Sequence, residues 1–296
     1  MAYVKFWGVR GSIPTPGPST LRYGGNTPCL ELAYAEDKFF ILDAGSGIRA
    51  FGQHLLQLKK PVHAHIFISH MHWDHIQGFP FFVPAFIPGN SFVFHAAAEA
   101  DMKLEKILAE QMNPINFPVQ FNELRSQFEY QELYEGSYEF DGVKVDTIYL
   151  NHPGYALGYK FQVRHKSVVY VSDNEPYPFY PASAAASNSP SEVQFIEDGN
   201  QRIINFCKQA DILIHDAQYT PEEYKSKYQW GHSPYDYTVR IALQAGVRIL
   251  VLFHHDPTHN DEFIDGLVEA AKKISWQAGS KMKIIGAVEG MSLALD

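Results

Sequence analysis

The segment His70-Met71-His72-Trp73-Asp74-His75 constrains this chain more than any other, because four ligand-type side chains follow directly on the apolar run His65-Ile66-Phe67-Ile68-Ser69. Such a run reads as a buried strand that delivers its carboxyl end to a site. Imidazoles and carboxylates are a poor way to end a strand for packing alone, since each needs desolvation and a partner. In extended chain, residues two apart point the same way, so His70 and His72 can share one metal ion. Asp74 and His75 follow as the chain turns toward the next helix and can face a second position. The competing reading, a solvated turn that happens to be rich in His, is much the weaker.

The same pattern recurs at other strand ends. His152 follows Thr147-Ile148-Tyr149-Leu150-Asn151, Asp173 follows Ser167-Val168-Val169-Tyr170-Val171-Ser172, and His254 follows Arg248-Ile249-Leu250-Val251-Leu252-Phe253. Singly, each is more often a satisfied polar group than a ligand. Jointly they fit the placement of α/β sites at the carboxyl ends of strands. Strands are expected over residues 4–9, 29–35, 39–43, 63–69, 91–95, 143–150, 157–163, 167–172, 212–215, 249–253 and 282–287. Helical patterns cover 47–58, 97–111, 201–209, 221–228, 235–245 and 261–276. Strands dominate early and alternate with helices later, so the class is mixed α/β with helix-covered sheets.

No linker or fixed-period repeat interrupts the 296 residues, which read as a single domain with insertions near 111–138 and 174–200. The second insertion is rich in Pro, Ser and Ala; its Tyr177, Phe179 and Tyr180 suit a substrate-facing flap, a seam between two copies, or a plain surface excursion. Two Cys exclude a disulfide framework, and 14% aromatic residues exclude disorder. The first residues carry no signal-like apolar stretch, and the longest apolar runs are too short to span a bilayer, so a soluble cytoplasmic protein without membrane partner is expected. A net charge of −9 argues against a surface made for large nucleic acids, which wants basic clusters.

On its His-x-His-x-Asp-His signature the chain resembles the metallo-β-lactamase superfamily, and most closely the branch with ribonuclease Z and cyclic-nucleotide phosphodiesterase-like hydrolases. The motif order agrees: Leu42-Asp43-Ala44-Gly45-Ser46-Gly47, the His motif, His152-Pro153-Gly154, Ser172-Asp173, Ile214-His215-Asp216-Ala217, Gly231-His232-Ser233 and Phe253-His254. The resemblance implies an αββα sandwich of two mixed sheets flanked by helices, with a dinuclear metal site. It assigns His70, His72 and His152 to one divalent ion and Asp74, His75 and His254 to the other, with Asp173 and a hydroxide bridging; Asp74 counts among the catalytic groups as well. Imidazole and carboxylate ligands suit Zn, with Mn or Fe as alternatives. Cys29 and Cys207 lie outside every motif, unlike the ligand Cys of many antibiotic-hydrolysing members. His72 stands where flavo-di-iron relatives carry Glu, which favours hydrolysis over redox chemistry.

Asp216 and His232 match a proton-donating pair of the ribonuclease Z-like branch, where relatives often show Glu at the Asp216 position. The competing reading is a helix cap, because His232-Ser233-Pro234 precedes a helix. His255 is expected to point away from the ligands, toward an outer layer or the surface. His63, His65, His95, His165, His215 and His259 are read as structural or surface residues. The Gly/Pro-rich stretches 10–18 and 23–27 lack the spacing of a phosphate-binding P-loop; similar loops in this branch lie beside the site. The function expected is a dinuclear metal-dependent hydrolase of a small phosphodiester such as a cyclic nucleotide. The alternatives are tRNA 3′ processing, or thioester or lactone hydrolysis on the same metals.

Overall fold

A computed structural model describes residues 1–98, 102–177 and 190–295, with backbone alone over 190–197. Phe179, Tyr180 and the rest of 178–189 within the 174–200 insertion therefore lie outside the described residues. The chain divides into two compact units: Met1–Glu135 with Asp256–Asp261 and Ala287–Asp296, and Gly136–His255 with Glu262–Gly286.

The first unit runs β1 (Tyr3–Gly8), β2 (Cys29–Ala35), β3 (Lys38–Leu42), α1 (Gly47–Gln57), β4 (His63–Phe67), α2 (Trp73–Ile76), β5 (Ser91–Ala97), α3 (Leu104–Glu110) and β6 (Gln127–Leu133). The second holds β7 (Gly136–Phe140), β8 (Val143–Tyr149), β9 (Leu157–Val163), β10 (Lys166–Val171), α4 (Pro190–Phe206), β11 (Ile212–Asp216), α5 (Pro221–Tyr224), α6 (Tyr235–Ala245), β12 (Ile249–Phe253), α7 (Asp261–Gln277, its first residue in the first unit) and β13 (Lys283–Gly286). The chain then returns to the first unit as β14 (Ser292–Ala294), which pairs antiparallel with β1.

Each unit is built on one seven-stranded mixed sheet, ordered β14-β1-β2-β3-β4-β5-β6 in the first and β13-β12-β11-β10-β9-β8-β7 in the second. Pairing is antiparallel up to β3 and parallel beyond it in one sheet. The second sheet repeats the plan about β10. The two sheets thus share one internal topology, a duplication that no sequence period reveals.

Among the parallel strands β11 and β12 are the most apolar, because helices cover them. β11 is buried throughout, and β12 reads Ile-Leu-Val-Leu-Phe, buried but for its first residue. α6 lies on both, and α4 lies on α6. In the first unit α1 covers β1 and β2. Its Ile48, Phe51 and Leu55, spaced at three and four residues, close over Ile41, Ile66 and Phe94. Each such buried side chain stabilises by about 1.5–3 kcal/mol before chain entropy is subtracted.

Two expectations need correction. Among the described residues of 97–111 the helix is only the short α3, and β5 extends through Ala97, which pairs with Leu133. The stretch 111–138 is less an insertion than part of the sheets: it contains β6, an edge strand of the first, and the start of β7, an edge strand of the second. Among the described residues no helix is long and apolar enough to cross a membrane.

Candidate metal centre

In the first unit the ligand motif is held by the end of β3. Asp43, the residue after that strand, is fully buried with φ 59°. This left-handed conformation is uncommon outside Gly, and it turns the carboxylate back toward the motif. Asp43 Oδ1 accepts the Ser69 amide at 2.7 Å, and Oδ2 accepts the Ser69 hydroxyl at 3.0 Å and His75 Nδ1–H at 2.8 Å. Backbone bonds from Ala44 to His75 (2.7 Å) and from Gly78 to Ala44 (3.0 Å) clamp α2 against the same loop. Only Gly tolerates this approach at position 45, where a Cβ would meet the Asp74 carbonyl oxygen at 2.2 Å.

The motif converges as the spacing predicts. The rings of His70 and His72 lie 4.5 Å apart, those of His70 and His75 4.2 Å, and His75 Nε2 is 3.3 Å from Asp74 Oδ2. His70, Asp74 and His75 are buried, while His72 is exposed. The N-terminal Gly/Pro loop reaches this set, since the Ser12 amide donates to Asp74 Oδ2 at 2.7 Å.

The second unit gathers its own candidates at the ends of β8, β10, β11 and β12. Asp173 Oδ1 lies 3.4 Å from His254 Nε2, and its Oδ2 lies 4.0 Å from His152 Nε2. Side-chain atoms of His152, Asp173 and His232 all lie within 4.8 Å of one another, as do those of Asp216, His232 and His254. His254, like Asp43, follows its strand in a left-handed conformation, φ 60°. Its neighbour His255 is buried rather than on the surface.

Partners on Nδ1 fix the tautomers of three candidate ligands. His75 donates to Asp43, His152 to the Gly231 carbonyl at 2.8 Å, and His254 to Gln218 Oε1 at 2.8 Å. Each ring therefore presents the lone pair of Nε2, which is what a ligand to a divalent cation requires. Buried imidazoles beside carboxylates fit a borderline divalent ion such as Zn, Mn or Fe. Asp43, Gln218 and the Gly231 carbonyl are roles that sequence reasoning missed; Asp43 at least stood in a quoted motif.

Asp216 is wholly buried and crowded with donors: Gln218 N–H on Oδ1 at 3.0 Å, and Ser233 N–H at 3.0 Å, Asn174 N–H at 3.4 Å and His232 Nδ1 at 3.2 Å on Oδ2. The shorter Asp side chain therefore still reaches His232. Its ring stacks on that of His254, centroids 5.0 Å apart. The helix-cap reading does not hold: Pro234 is the N-cap of α6 without a side-chain bond, and the Ser233 hydroxyl donates to the Asn174 carbonyl at 2.5 Å.

The loop that carries Gly231 and His232 is anchored by a residue no motif marked. Glu175 accepts the Tyr224 hydroxyl (2.7 Å) and the Gln229 amide (2.7 Å) on Oε1, and the Gly231 amide (2.9 Å) on Oε2. Burial, with the bond to Glu175 second, raises the Tyr224 pKa well above 10 and keeps this donor protonated.

Three of the His read as structural or surface residues, His65, His95 and His215, are engaged in hydrogen bonds. His65 Nδ1 and His95 Nε2 are hydrogen-bonded at 2.7 Å, and burial, with His65 adding to it, lowers His95 to a pKa of about 3. His215 donates Nδ1–H to the Asp216 carbonyl at 2.7 Å, and burial lowers its pKa.

Known proteins share the fold and most of the length of this chain. A ribonuclease Z from Prochlorococcus marinus (strain MIT 9515) is 23% identical over 88% of this chain and 89% of its own length. The metallo-β-lactamase-fold protein YhfI from Bacillus subtilis superimposes with a TM-score of 0.69 at 16% identity, covering 99% of this chain and all of its own. A diphosphatase of the PhnP family gives a TM-score of 0.63 at 18% identity, covering 100% of this chain and 98% of its own. Residues 39–255 match the family described as the β-lactamase superfamily domain. The chain belongs to that superfamily and is one of its hydrolases.

Proposed function

We propose that the protein hydrolyses phosphodiesters, with a small nucleotide-like diester as substrate. The observation that carries this reading is the buried pair in which Asp216 Oδ2 lies 3.2 Å from His232 Nδ1. Three backbone amides hold Asp216, so it fixes the orientation of the His232 imidazole. His232 then carries a proton for the alkoxide that leaves when a P–O bond breaks. As the family resemblance implies, His70, His72 and His152 would hold one divalent ion and Asp74, His75 and His254 another, with Asp173 a further ligand. Such ions lower the pKa of a coordinated water and offset charge on a phosphoryl group when bound. Two buried cysteines without a bridge suit a reducing, cytoplasmic setting.

His232→Ala separates proton donation from metal binding. Metal content is expected to stay at the wild-type level. Hydrolysis of a cyclic nucleotide, whose alkoxide needs a proton, falls ~10²–10⁴-fold. Bis-p-nitrophenyl phosphate, whose leaving group departs unprotonated, loses far less. Equal losses on both substrates, or full activity on both, would remove the proton-donor role.

A second reading, cleavage of precursor tRNA, is favoured by the ribonuclease Z relatives. The net charge of −9 weighs against a polyanionic substrate. Cleavage of precursor tRNA at low salt faster than of any small diester would establish that alternative.

A further inference from the structure

The turn that carries the ligand motif also forms one wall of a groove that the metal set does not use. The groove lies wholly within the first unit and encloses about 450 Å³, in the size range of small-molecule pockets. Met71, Trp73, Phe81 and Phe117 form its apolar walls, and Gln77 and Gln111 bring amides. Trp73 opens α2. The next two residues, Asp74 and His75, are buried, while Trp73 itself is 80% exposed. An indole standing in water between two candidate ligands, His72 and Asp74, has no packing role to explain it. Phe81 is 54% exposed and stands edge-on to Phe117, centroids 5.3 Å apart.

The polar groups narrow the ligand further. Gln77 is oriented by a bond from its Nε2 to Thr27 Oγ1 at 3.1 Å. Gln111 Nε2 is buried with no hydrogen-bond partner among the described residues, so no bond ties its amide against turning toward a ligand. Among the described residues, Glu110 is the one charged residue of the groove lining. A carboxylate there repels phosphate, and no Lys or Arg is present to track a strand of RNA. What remains is a site for a flat, uncharged ring with hydrogen-bonding edges. Aromatic faces stack any base, and side-chain amides read base edges.

We infer that this groove holds the nucleobase of a nucleotide diester, with Trp73 as its stacking platform. The inference rests on the phosphodiesterase reading and adds to it the place where the base of such a substrate binds.

The test pairs two esters with one leaving group, thymidine 5′-(p-nitrophenyl phosphate) and methyl p-nitrophenyl phosphate, on wild type and Trp73→Ala. KM for the thymidine ester is expected to rise about 5- to 150-fold, the range for losing one base–aromatic stack. Its kcat, and kcat/KM for the methyl ester, stay unchanged. Equal losses on both esters would show that Trp73 merely props the ligand motif, and no loss on either would place the base elsewhere; both outcomes overturn the inference. Calorimetric binding of adenosine to metal-free protein is independent of turnover. Saturable binding weakened by a similar factor in Trp73→Ala supports the groove even if neither ester is cleaved, in which case the phosphodiesterase reading alone fails. No adenosine binding by wild type, or conversion of a wild-type dimer to monomer by Trp73→Ala in sedimentation, overturns the groove assignment.

Discussion

Glu175 offers the most revealing perturbation, because it touches no candidate ligand yet holds the loop on which two site residues depend. Its carboxylate accepts three donors, Tyr224 Oη and Gln229 N on one oxygen and Gly231 N on the other. Glu175→Gln keeps the shape but replaces one acceptor by an amide NH₂. Whichever way the amide turns, its nitrogen faces a backbone N–H, that of Gln229 or that of Gly231. One buried donor is left unsatisfied, at a cost of about 1–3 kcal/mol. The Gly231 carbonyl fixes His152 Nδ1 at 2.8 Å, so the loosened loop frees that imidazole. Losing such an outer partner costs ~10- to 100-fold in metal affinity, which is about 1.4–2.8 kcal/mol and matches the bond lost. Urea unfolding of metal-free protein measures the first quantity, and competition with a chromophoric zinc chelator the second. A Gln variant with the wild-type urea midpoint and wild-type metal affinity would refute the reasoning.

Other perturbations probe neighbouring links. Asp43→Asn places an NH₂ among the donors of Ser69 and His75, and metal affinity by the same chelator competition should fall ~10- to 100-fold. Gly231→Ala should be worse than Glu175→Gln, since Gly231 has φ +85° and a Cβ would lie 2.2 Å from His152 Nδ1; unchanged metal affinity would contradict it. Burial lowers His95 from 6.5 to about 3, so the unfolded chain binds its proton first. Stability from this residue is complete above pH 6.5 and is lost as pH falls from there toward 3. His95→Gln should flatten the fall of Tm between pH 6 and 4, to about the extent that this one residue controls it; an unchanged acid limb would rule the residue out.

The strands that end on ligands were legible because burial on both faces leaves unbroken apolar runs, as in Ile249–Phe253. β6 was not, because it pairs at the edge of its sheet and alternates Phe128 and Tyr130 with Glu129 and Gln131, a half-polar pattern flanked by turn residues. Its partner was misread for the same cause: Ala96-Ala97 favours helix locally, yet the ladder to Glu132 and Leu133 keeps it extended. In the site, contiguous motifs were plain, and the groups that orient them were hidden. Asp43 meets His75 across 32 residues and Glu175 meets Gln229 across 54, distances over which spacing carries no information. The His232–Asp216 pair, 16 residues apart, became visible only through the order of motifs.

The central claim is that the His and Asp side chains at these strand ends make the protein a metal-dependent phosphodiesterase. The most direct measurement is hydrolysis of a nucleotide diester by protein of known Zn or Mn content, before and after stripping with a chelator and again after the ion is restored. Turnover should vanish on stripping and return with the ion. Protein that holds the ion and cleaves no diester, or that cleaves one equally well when stripped, would contradict the account.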